Sequence, residues 1–253
     1  MKKQPKYLLY ASLLDAYQGY IGSDEIYNEY WGNAEHPQYT EDEFHEKQRL
    51  ALIDRINRVP FDSEKADRGT AFNEIVDCII LHKKSDKMDI DIRKVEGFMH
   101  AEYNNRTHHF PIALCREFAD YYRGATPQVL TEGILPTAYG DVLLYGYIDE
   151  LMPTSVHDIK TTEKYAVGKF KSHWQHMVYP YCLNAEGNHV YDFEYNIAVL
   201  NETKYAYNYE TFTEYYNYVP EVDVPRLTAH VEGLVRFIEL HREVITDKKI
   251  FNL

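Results

Sequence analysis

The chain has 253 residues, of which 45% are hydrophobic and 26% are charged, so it is long enough to bury a substantial core. No apolar run approaches the roughly 18 residues that a membrane span needs, so we expect no membrane partner. The net charge of -13 argues against passive nucleic-acid binding, which normally shows a basic footprint. It does not exclude an enzyme that acts on nucleic acid through bound metal and a local basic strip.

The N-terminal stretch MKKQPKYLLYASLLDAYQGY begins with basic residues, but Ser12, Asp15 and Gln18 interrupt its apolar run. It lacks the hydrophobic region of a signal peptide and is typical of an amphipathic helix over 7–20. The three cysteines are widely spaced and odd in number, which suits a reducing compartment and matches no zinc knuckle. These features predict a cytoplasmic location.

Helical periodicity continues through the first half of the chain. The acid-rich stretch over 23–46 is expected on a solvated surface. Apolar residues at helical spacing predict three further helices, over 41–57, 69–83 and 111–123.

The apolar period changes to two in the second half of the chain. Alternating residues predict a three-strand meander over 128–137, 141–151 and 155–161. A helix over 171–186 is expected next, with Gly187 as its C-cap. The remaining patterns predict two strands and a last helix, over 189–200, 204–212 and 225–246.

This order of elements indicates an α/β or α+β fold with a central mixed sheet, in which the three-strand meander is flanked by helices. No repeat, low-complexity tract or Gly/Ser linker divides the chain. We therefore expect a single domain over 1–253. Its parts are a helical N-terminal part over about 1–125, a sheet core over about 126–212 and a C-terminal helix over about 225–246.

The hairpin GYIDELMPTSVHDIKTT places two acids and an amine close together. If Pro153 and Thr154 form a two-residue turn, Asp149 faces Asp158 across the ladder, with Cβ atoms about 4.5–5.5 Å apart. Lys160 follows two residues later and projects from the same face as Asp158.

Two buried carboxylates at that distance would share a proton or bind a cation. Hard oxygen ligands suit Mg²⁺ or Mn²⁺, which keep water molecules for a substrate phosphate. The alternative is a solvent-facing hairpin in which Lys160 only neutralises the two acids. The three residues alone leave both interpretations open.

The surrounding motifs resemble the core of the PD-(D/E)XK nuclease superfamily, and specifically its RecB-like exonuclease branch. The resemblance covers about 69–200 in order, with a weaker N-terminal similarity in YASLLDAYQGY. The motif positions that match are Gly69, Gly146, Asp149, Asp158, Lys160, Gln175 and Tyr179. The resemblance implies a restriction-endonuclease-like core, with a helix before the meander and a helix and strand after it.

Two departures from this family pattern matter. Asn73 stands where the helical Gly-x-x-x-His motif has its histidine, and Glu74 is the nearest acid that could replace that metal ligand. The branch with four cysteines around an iron–sulfur cluster is excluded, because the chain has three cysteines.

The resemblance implies roles for the matched residues. Asp149 and Asp158 would hold the metal, with the backbone carbonyl of Ile159 as a third oxygen ligand. Lys160 would orient the attacking water and stabilise charge that grows on the phosphate. Gln175 and Tyr179 would contact the nucleic-acid backbone or brace Lys160. An ordinary contact within an amphipathic helix is the alternative for these last two residues.

A basic strip follows the hairpin and would bind the phosphates of nucleic acid through Lys164, Lys169 and Lys171. A solvated helix start is the alternative explanation for these lysines. Tyr205, Tyr207 and Tyr209 alternate along a predicted strand, which favours core or interface packing over a base-stacking platform.

The sequence thus favours a Mg²⁺- or Mn²⁺-dependent DNA exonuclease of the RecB-like type found in phages and prophages, acting on linear ends. One alternative is a catalytically silent relative that binds DNA ends or a protein. Another is a structure-specific endonuclease of the same fold. A recombination partner protein and a homo-oligomer are further partners that the resemblance implies. Strand polarity and the choice between DNA and RNA stay open.

Overall fold

Two β-sheets and the helices packed on them make up the structure, a computed structural model that describes residues 4–93, 96–202 and 207–253. In these ranges the strands are β1 (Tyr7–Tyr10), β2 (Asp89–Arg93), β3 (Phe98–Tyr103), β4 (Arg106–Pro111), β5 (Thr126–Leu135), β6 (Val142–Leu151), β7 (Ser155–Thr162), β8 (Asp192–Glu202) and β9 (Tyr207–Asn217). The helices are α1 (Ala11–Ile21), α2 (Ser23–Trp31), α3 (Glu41–Ile56), α4 (Glu64–Ile80), α5 (Ile112–Tyr121), α6 (Gln175–Ala185) and α7 (Pro220–Leu240), followed by a 3₁₀ helix (Lys248–Phe251).

The central sheet is mixed, which confirms the predicted fold class. Strands β5, β6 and β7 form the antiparallel meander, while β1 pairs with β6 and β8 pairs with β7 in parallel. Strand β6 lies against β5 along nearly its whole length, so β1 and β7 share its other edge. Strand β1 pairs with 142–145 and β7 pairs with 150–151. The sheet therefore forks at 146–149, and we call this segment and its surroundings the fork.

The predicted hairpin register is confirmed. Glu150 pairs with His157, and the Met152 N–H donates to the Ser155 carbonyl at 3.0 Å across a turn of two residues. A one-residue slip would move every side chain of β7 to the opposite face of the sheet. The register therefore decides that Asp158 and Lys160 share one face.

Two apolar clusters cover the two faces of the central sheet. One face packs against α1, α6 and α7, with Leu144, Ile148 and Val156 in its cluster. The other face packs against α4, α5 and the three-stranded sheet, with Phe72 and Ile159 in its cluster. Val156 and Ile159 of β7 thus feed opposite cores, as expected for a strand buried on both sides.

Local signals in the sequence set several helix ends. Thr40 caps α3 in a capping box with Glu43, and the Ser63 side chain accepts the Ala66 N–H at the start of α4. Gly187 follows α6 with a φ of +94°, and bonds from 187 and 188 back to 184 and 183 form a Schellman motif. The predicted C-cap at Gly187 is confirmed.

The prediction of a helix over 7–20 is wrong in its first turn. Residues 7–10 form the parallel strand β1, and the helix begins at Ala11. Tyr7 and Leu9 are fully buried, whereas their neighbours are half-buried. Four apolar residues joined directly to a helix fit both periods, and only the pairing partner on β6 decides between them.

The prediction that the first 125 residues are helical is also incomplete, because β2, β3 and β4 form an antiparallel sheet there. Asn104 and Asn105 form the tight turn between β3 and β4, with φ values of +49° and +60°. Both values belong to the hairpin turn that asparagine favours. The Asn-Asn pair between alternating residues was the signal for this hairpin.

Several predicted boundaries differ by a few residues. Helix α4 begins five residues before 69, α6 begins at Gln175 instead of 171, and α7 runs from Pro220 to Leu240 instead of 225–246. The acid-rich surface stretch contains α2. The start of the predicted strand over 204–212, including Tyr205, lies outside the described residues.

No helix in the described ranges is long and apolar enough to cross a membrane. The three cysteines are all buried and unpaired with one another. Burial raises the pKa of the Cys78 thiol to about 11 and that of Cys115 to about 12.

Candidate active site at the fork of the central sheet

Asp149 lies where strand β6 changes its partner. The ladder between β5 and β6 skips the pair Gln128–Asp149, and Gln128 has a φ of +54°, which is rare for this residue. Ile148 packs on the α6 face, yet Glu150 pairs with His157 and faces α4, so the alternation of side chains breaks at Asp149. The Asp149 side chain consequently turns toward β7, where Oδ2 accepts the Ile159 N–H at 2.9 Å.

Asp158 and Lys160 lie on the α6 face of β7 and form an ion pair. The Lys160 Nζ is 2.6 Å from Asp158 Oδ2. Asp158 is 1% exposed, whereas the Lys160 side chain is 21% exposed and can reach solvent. The structure therefore brings the three predicted residues together at one point.

Gln175, the first residue of α6, bridges the ion pair. Its Oε1 accepts from Lys160 Nζ at 2.7 Å, and its Nε2 donates to Asp158 Oδ1 at 2.5 Å. The same nitrogen lies 3.3 Å from the Tyr179 hydroxyl one turn later. Of the two predicted roles for Gln175, the structure thus displays bracing of Lys160.

Tyr179 explains the glycine in the predicted motif. A Cβ atom at position 146 would lie 2.6 Å from the Tyr179 ring, closer than real contacts allow. Gly146 lets α6 approach β6 at the fork, and this approach places Gln175 over Asp158. Gly146 and Tyr179, two separate positions of the sequence motif, therefore pack directly against each other.

The electrostatics of the site follow from burial and crowding. Desolvation, followed by repulsion from Asp158, raises the pKa of Asp149 to about 8. Burial also raises the pKa of Asp158, although Lys160 opposes the shift. Desolvation alone would lower the pKa of Lys160, but attraction to Asp158 and Asp149 outweighs it and leaves the pKa above its ordinary value. The lysine is therefore an ammonium at neutral pH.

Asp15 also belongs to this site, although no sequence pattern selects it. Its Oδ1 accepts the Trp174 N–H at 2.6 Å, next to the first residue of α6. Burial, which outweighs this bond and the attraction of Lys160, raises its pKa to about 6. An acid that interrupts an amphipathic helix is usually solvated, and only the packing of α1 on α6 turns this one inward.

The oxygen atoms at the fork fit a hard cation. Asp149 and Asp158 repel each other, and a cation between them would relieve that repulsion. The N–H and C=O groups of one strand residue point to the same side, so the Ile159 carbonyl points toward β6, as its N–H does. In the described part of the chain, no three His, Cys, Asp or Glu side chains form a metal-binding group.

Glu74 does not lie at the fork. Its carboxylate accepts from Ser85 Oγ at 2.8 Å and forms an ion pair of 2.6 Å with Lys87, at the start of the three-stranded sheet. The expectation that Glu74 replaces the family histidine therefore gains no support, because a step of one residue along a helix turns the side chain by about 100°.

Asn73, unlike Glu74, lies on the face of α4 that is directed toward the fork. Gly69, Asn73 and Asp77 are four residues apart and form one row. Gly69 lies against Thr161 of β7, and Asp77 interacts with Asp149. Asn73 Oδ1, between them, is buried and has no hydrogen-bond partner among the described residues.

A second carboxyl pair lies beside the first. Asp77 and Glu150 are 3% and 0% exposed and face each other between α4 and β6. Burial, followed by repulsion from Asp77, raises the pKa of Glu150 to about 9, and burial raises that of Asp77 to about 6. At neutral pH this pair holds a proton.

The predicted basic strip is divided in two. Lys164 and Lys169 line a groove at the end of β7, whereas Lys171 is exposed outside its lining. Lys65 and Arg68 from the first turns of α4 complete the groove and were not selected from the sequence. Tyr207 and Tyr209 pack against the α4-side cluster, in agreement with the predicted packing role.

Comparisons with known proteins identify no family for this chain. Neither the family models nor the curated proteins match the chain. A solved structure described as "Crystal structure of SSO0001" is similar over 93% of this chain and 78% of that one, at 13% identity. Its TM-score of 0.42 is too low for the likeness to carry an argument.

Proposed function

We propose that this protein is a metal-dependent nuclease that hydrolyses DNA from linear ends. The supporting observation is the cluster of Asp149, Asp158 and Lys160 at the fork, clamped by Gln175. Two carboxylates that repel each other beside an ammonium suit a cation and a phosphate together. The motif resemblance to the PD-(D/E)XK nucleases, which rests on the same residues and their spacing, supports the same proposal.

Asp149, Asp158 and the Ile159 carbonyl would hold Mg²⁺ or Mn²⁺, and Asn73 Oδ1 would be a neutral fourth ligand. A cation bound there would polarise the scissile phosphate and lower the pKa of a bound water. Carboxylate and carbonyl oxygens are the ligands that these two metals prefer. Glu74 has no place in this set, because Ser85 and Lys87 occupy its carboxylate.

Lys160 would stabilise the negative charge that grows on the phosphate during hydrolysis. Gln175 holds its ammonium in place, so the donor needs little reorganisation during the reaction. Tyr179 supports Gln175, and Asp15 fixes the residue before it. These contacts make Gln175, Tyr179 and Asp15 positioning residues.

The test uses purified protein with end-labelled linear DNA and with closed circular DNA, in Mg²⁺, Mn²⁺ or EDTA. We expect degradation of the linear DNA alone, dependent on metal and absent in Asp158→Asn. Nicking of the circles would reject the exonuclease and favour the alternative, a structure-specific endonuclease.

A catalytically silent DNA-binding relative is the second candidate. Two observations favour it: Asn73 stands in place of the motif histidine, and Lys160 already occupies one oxygen of Asp158. Binding of DNA ends without cleavage in any of the three conditions would select this candidate and reject the nuclease.

A further inference from the structure

An open groove of about 340 Å³ lies at the end of β7. Thr161 and Thr162, which directly follow Lys160, form its floor with Leu200, and the first turns of α4 and the connection from β7 to α6 form its walls. The groove therefore begins one residue beyond the proposed catalytic lysine.

The groove concentrates positive charge in an acidic protein. Its lining contains four cations and one anion, Lys65, Arg68, Lys164, Lys169 and Glu163, while the chain carries a net charge of -13. Desolvation, followed by repulsion from Lys65, lowers the pKa of Lys169. A bound anion would relieve this crowding of cations.

The connection that carries two of these lysines is held in place. Lys169 Nζ donates to Thr162 Oγ1 at 2.5 Å and to the Lys164 carbonyl at 2.6 Å. On the α4 side, the Arg68 guanidinium donates to the Tyr207 hydroxyl at 2.9 Å. The two lysines thus line a shaped groove, and Lys169 keeps one ammonium donor in addition to the two that these contacts use.

Tyr30 adds an aromatic ring to the groove. It is 68% exposed at the end of α2, and its ring touches that of Trp31 at a centroid distance of 5.8 Å. A large exposed ring among cations has the composition of sites that hold unpaired nucleic acid, in which bases stack on aromatic side chains and lysines follow the backbone.

We propose that this groove binds one unpaired nucleotide of the DNA strand next to the scissile phosphate, with its base on Tyr30 and its phosphate between Lys164 and Lys169. The proposal rests on the proposed function for the position of that phosphate. A base inside a duplex cannot offer its face to a ring, because its neighbours in the stack cover it. The groove therefore selects a single-stranded end over a blunt duplex.

The test measures the binding of labelled oligothymidylate and of a blunt duplex by fluorescence anisotropy in EDTA, which prevents hydrolysis. We expect Tyr30→Ala to weaken single-strand binding about fivefold or more and to leave duplex binding unchanged. Tyr30→Phe keeps the ring and should bind as the wild type does. Tyr215→Ala, which removes a ring that is 73% exposed on β9, is the matched control.

A second measurement tests the cations. The double variant Lys164→Ala/Lys169→Ala should reduce the slope of log K against log salt by about 0.7 for the oligothymidylate, since both lysines contact the same phosphate and one neutralised phosphate is worth about 0.7. Lys248→Ala/Lys249→Ala removes the same charge from the 3₁₀ helix and should leave the slope unchanged.

Unchanged single-strand binding in Tyr30→Ala would overturn the proposal, as would equal weakening of single strand and duplex. These outcomes are separate from those for the proposed function, because binding in EDTA needs no hydrolysis. If the protein binds single strands through Tyr30 but never cleaves DNA, the binding site stands and the proposed nuclease activity is rejected. If the protein cleaves DNA but its binding does not depend on Tyr30, the nuclease activity stands and the binding site is rejected.

Discussion

Two pairs of carboxyl groups lie at neighbouring points of the central sheet and differ in their surroundings. Asp149 and Asp158 have the ammonium of Lys160 beside them, and this lysine side chain reaches solvent. Asp77 and Glu150 are sealed between α4 and β6, and no cation makes a hydrogen bond or ion pair with them among the described residues. Both pairs have raised pKa values because of burial, so a shifted pKa alone does not distinguish a site from a core.

The two pairs differ in solvent access and in whether a cation lies beside the carboxyl groups. A buried acid pair without a cation keeps a proton, because two charges at short range in a desolvated place are too costly. The pair at the fork has Lys160, whose side chain reaches solvent, and a neighbouring basic groove. The catalytic potential of such a pair therefore lies in the groups around the acids.

The largest expected effect follows from removing one acid of the open pair. Asp158→Asn should abolish DNA cleavage and the increase in melting temperature that Mn²⁺ produces, because a ligand that binds only the folded state stabilises it by mass action. Thermal melts with and without Mn²⁺ measure this. Glu150→Gln is the matched control from the sealed pair and should keep the Mn²⁺ shift. An undiminished shift in Asp158→Asn would remove the metal from the fork.

The next effect separates Lys160 from the metal ligands. An ammonium beside a cation opposes cation binding by Coulomb repulsion, so Lys160→Ala should bind Mn²⁺ equally or slightly more tightly. Cleavage should nevertheless fall by about 10²–10³, the usual cost of one lost transition-state donor. Lys160→Arg should rescue poorly, since a planar fork does not replace a compact point charge. Cleavage at the wild-type rate in Lys160→Ala would contradict the mechanism.

A smaller effect distinguishes Asn73 from Glu74. Asn73→His restores an imidazole and should favour Mn²⁺ over Mg²⁺, whereas Asn73→Ala should weaken metal binding, as titration calorimetry would measure. Glu74→Ala should keep metal binding but lose about 1–3 kcal/mol of stability, because Ser85 and Lys87 lose their buried partner. The reverse pattern, with metal binding lost in Glu74→Ala alone, would reinstate Glu74.

The smallest effect tests the sealed pair through pH. Glu150 has a folded pKa of about 9, well above its ordinary value, so its contribution to stability is lost as the pH rises from about 5 to 9. Glu150→Gln cannot lose a proton and should melt a few degrees above the wild type at pH 9 but not at pH 5. Glu132→Gln, at an exposed position on β5, is the control. Parallel curves for Glu150→Gln and the wild type would mean that the pair holds no proton.

The sequence predicted the meander and its register well, because apolar residues with a period of two and a Pro-Thr turn agree there. It missed β1 and the three-stranded sheet for different reasons. The residues of β1 fit two periods, and β2 exposes four of its five residues, so it has no alternating pattern to detect. Only pairing with a distant strand decides such segments.

The candidate site was predictable where its residues follow one another along the hairpin and α6. Asp15, Lys65 and Arg68 come from α1 and α4, and no local pattern marks them. The prediction that Glu74 replaces the motif histidine gains no support from the geometry, because adjacent residues of a helix point in different directions. Tertiary packing decides these positions, and a single sequence does not contain that information in local form.

The buried cysteines have a practical consequence for spectroscopy. Thiols react as thiolates, and Cys78, Cys115 and Cys182 are buried with raised pKa values, so all three should resist maleimide dyes in the native protein. Val167 is 93% exposed in the connection from β7 to α6, close to the basic groove. A Val167→Cys variant would accept a single fluorophore without prior removal of the native thiols, and its emission would report the arrival of a strand end in real time.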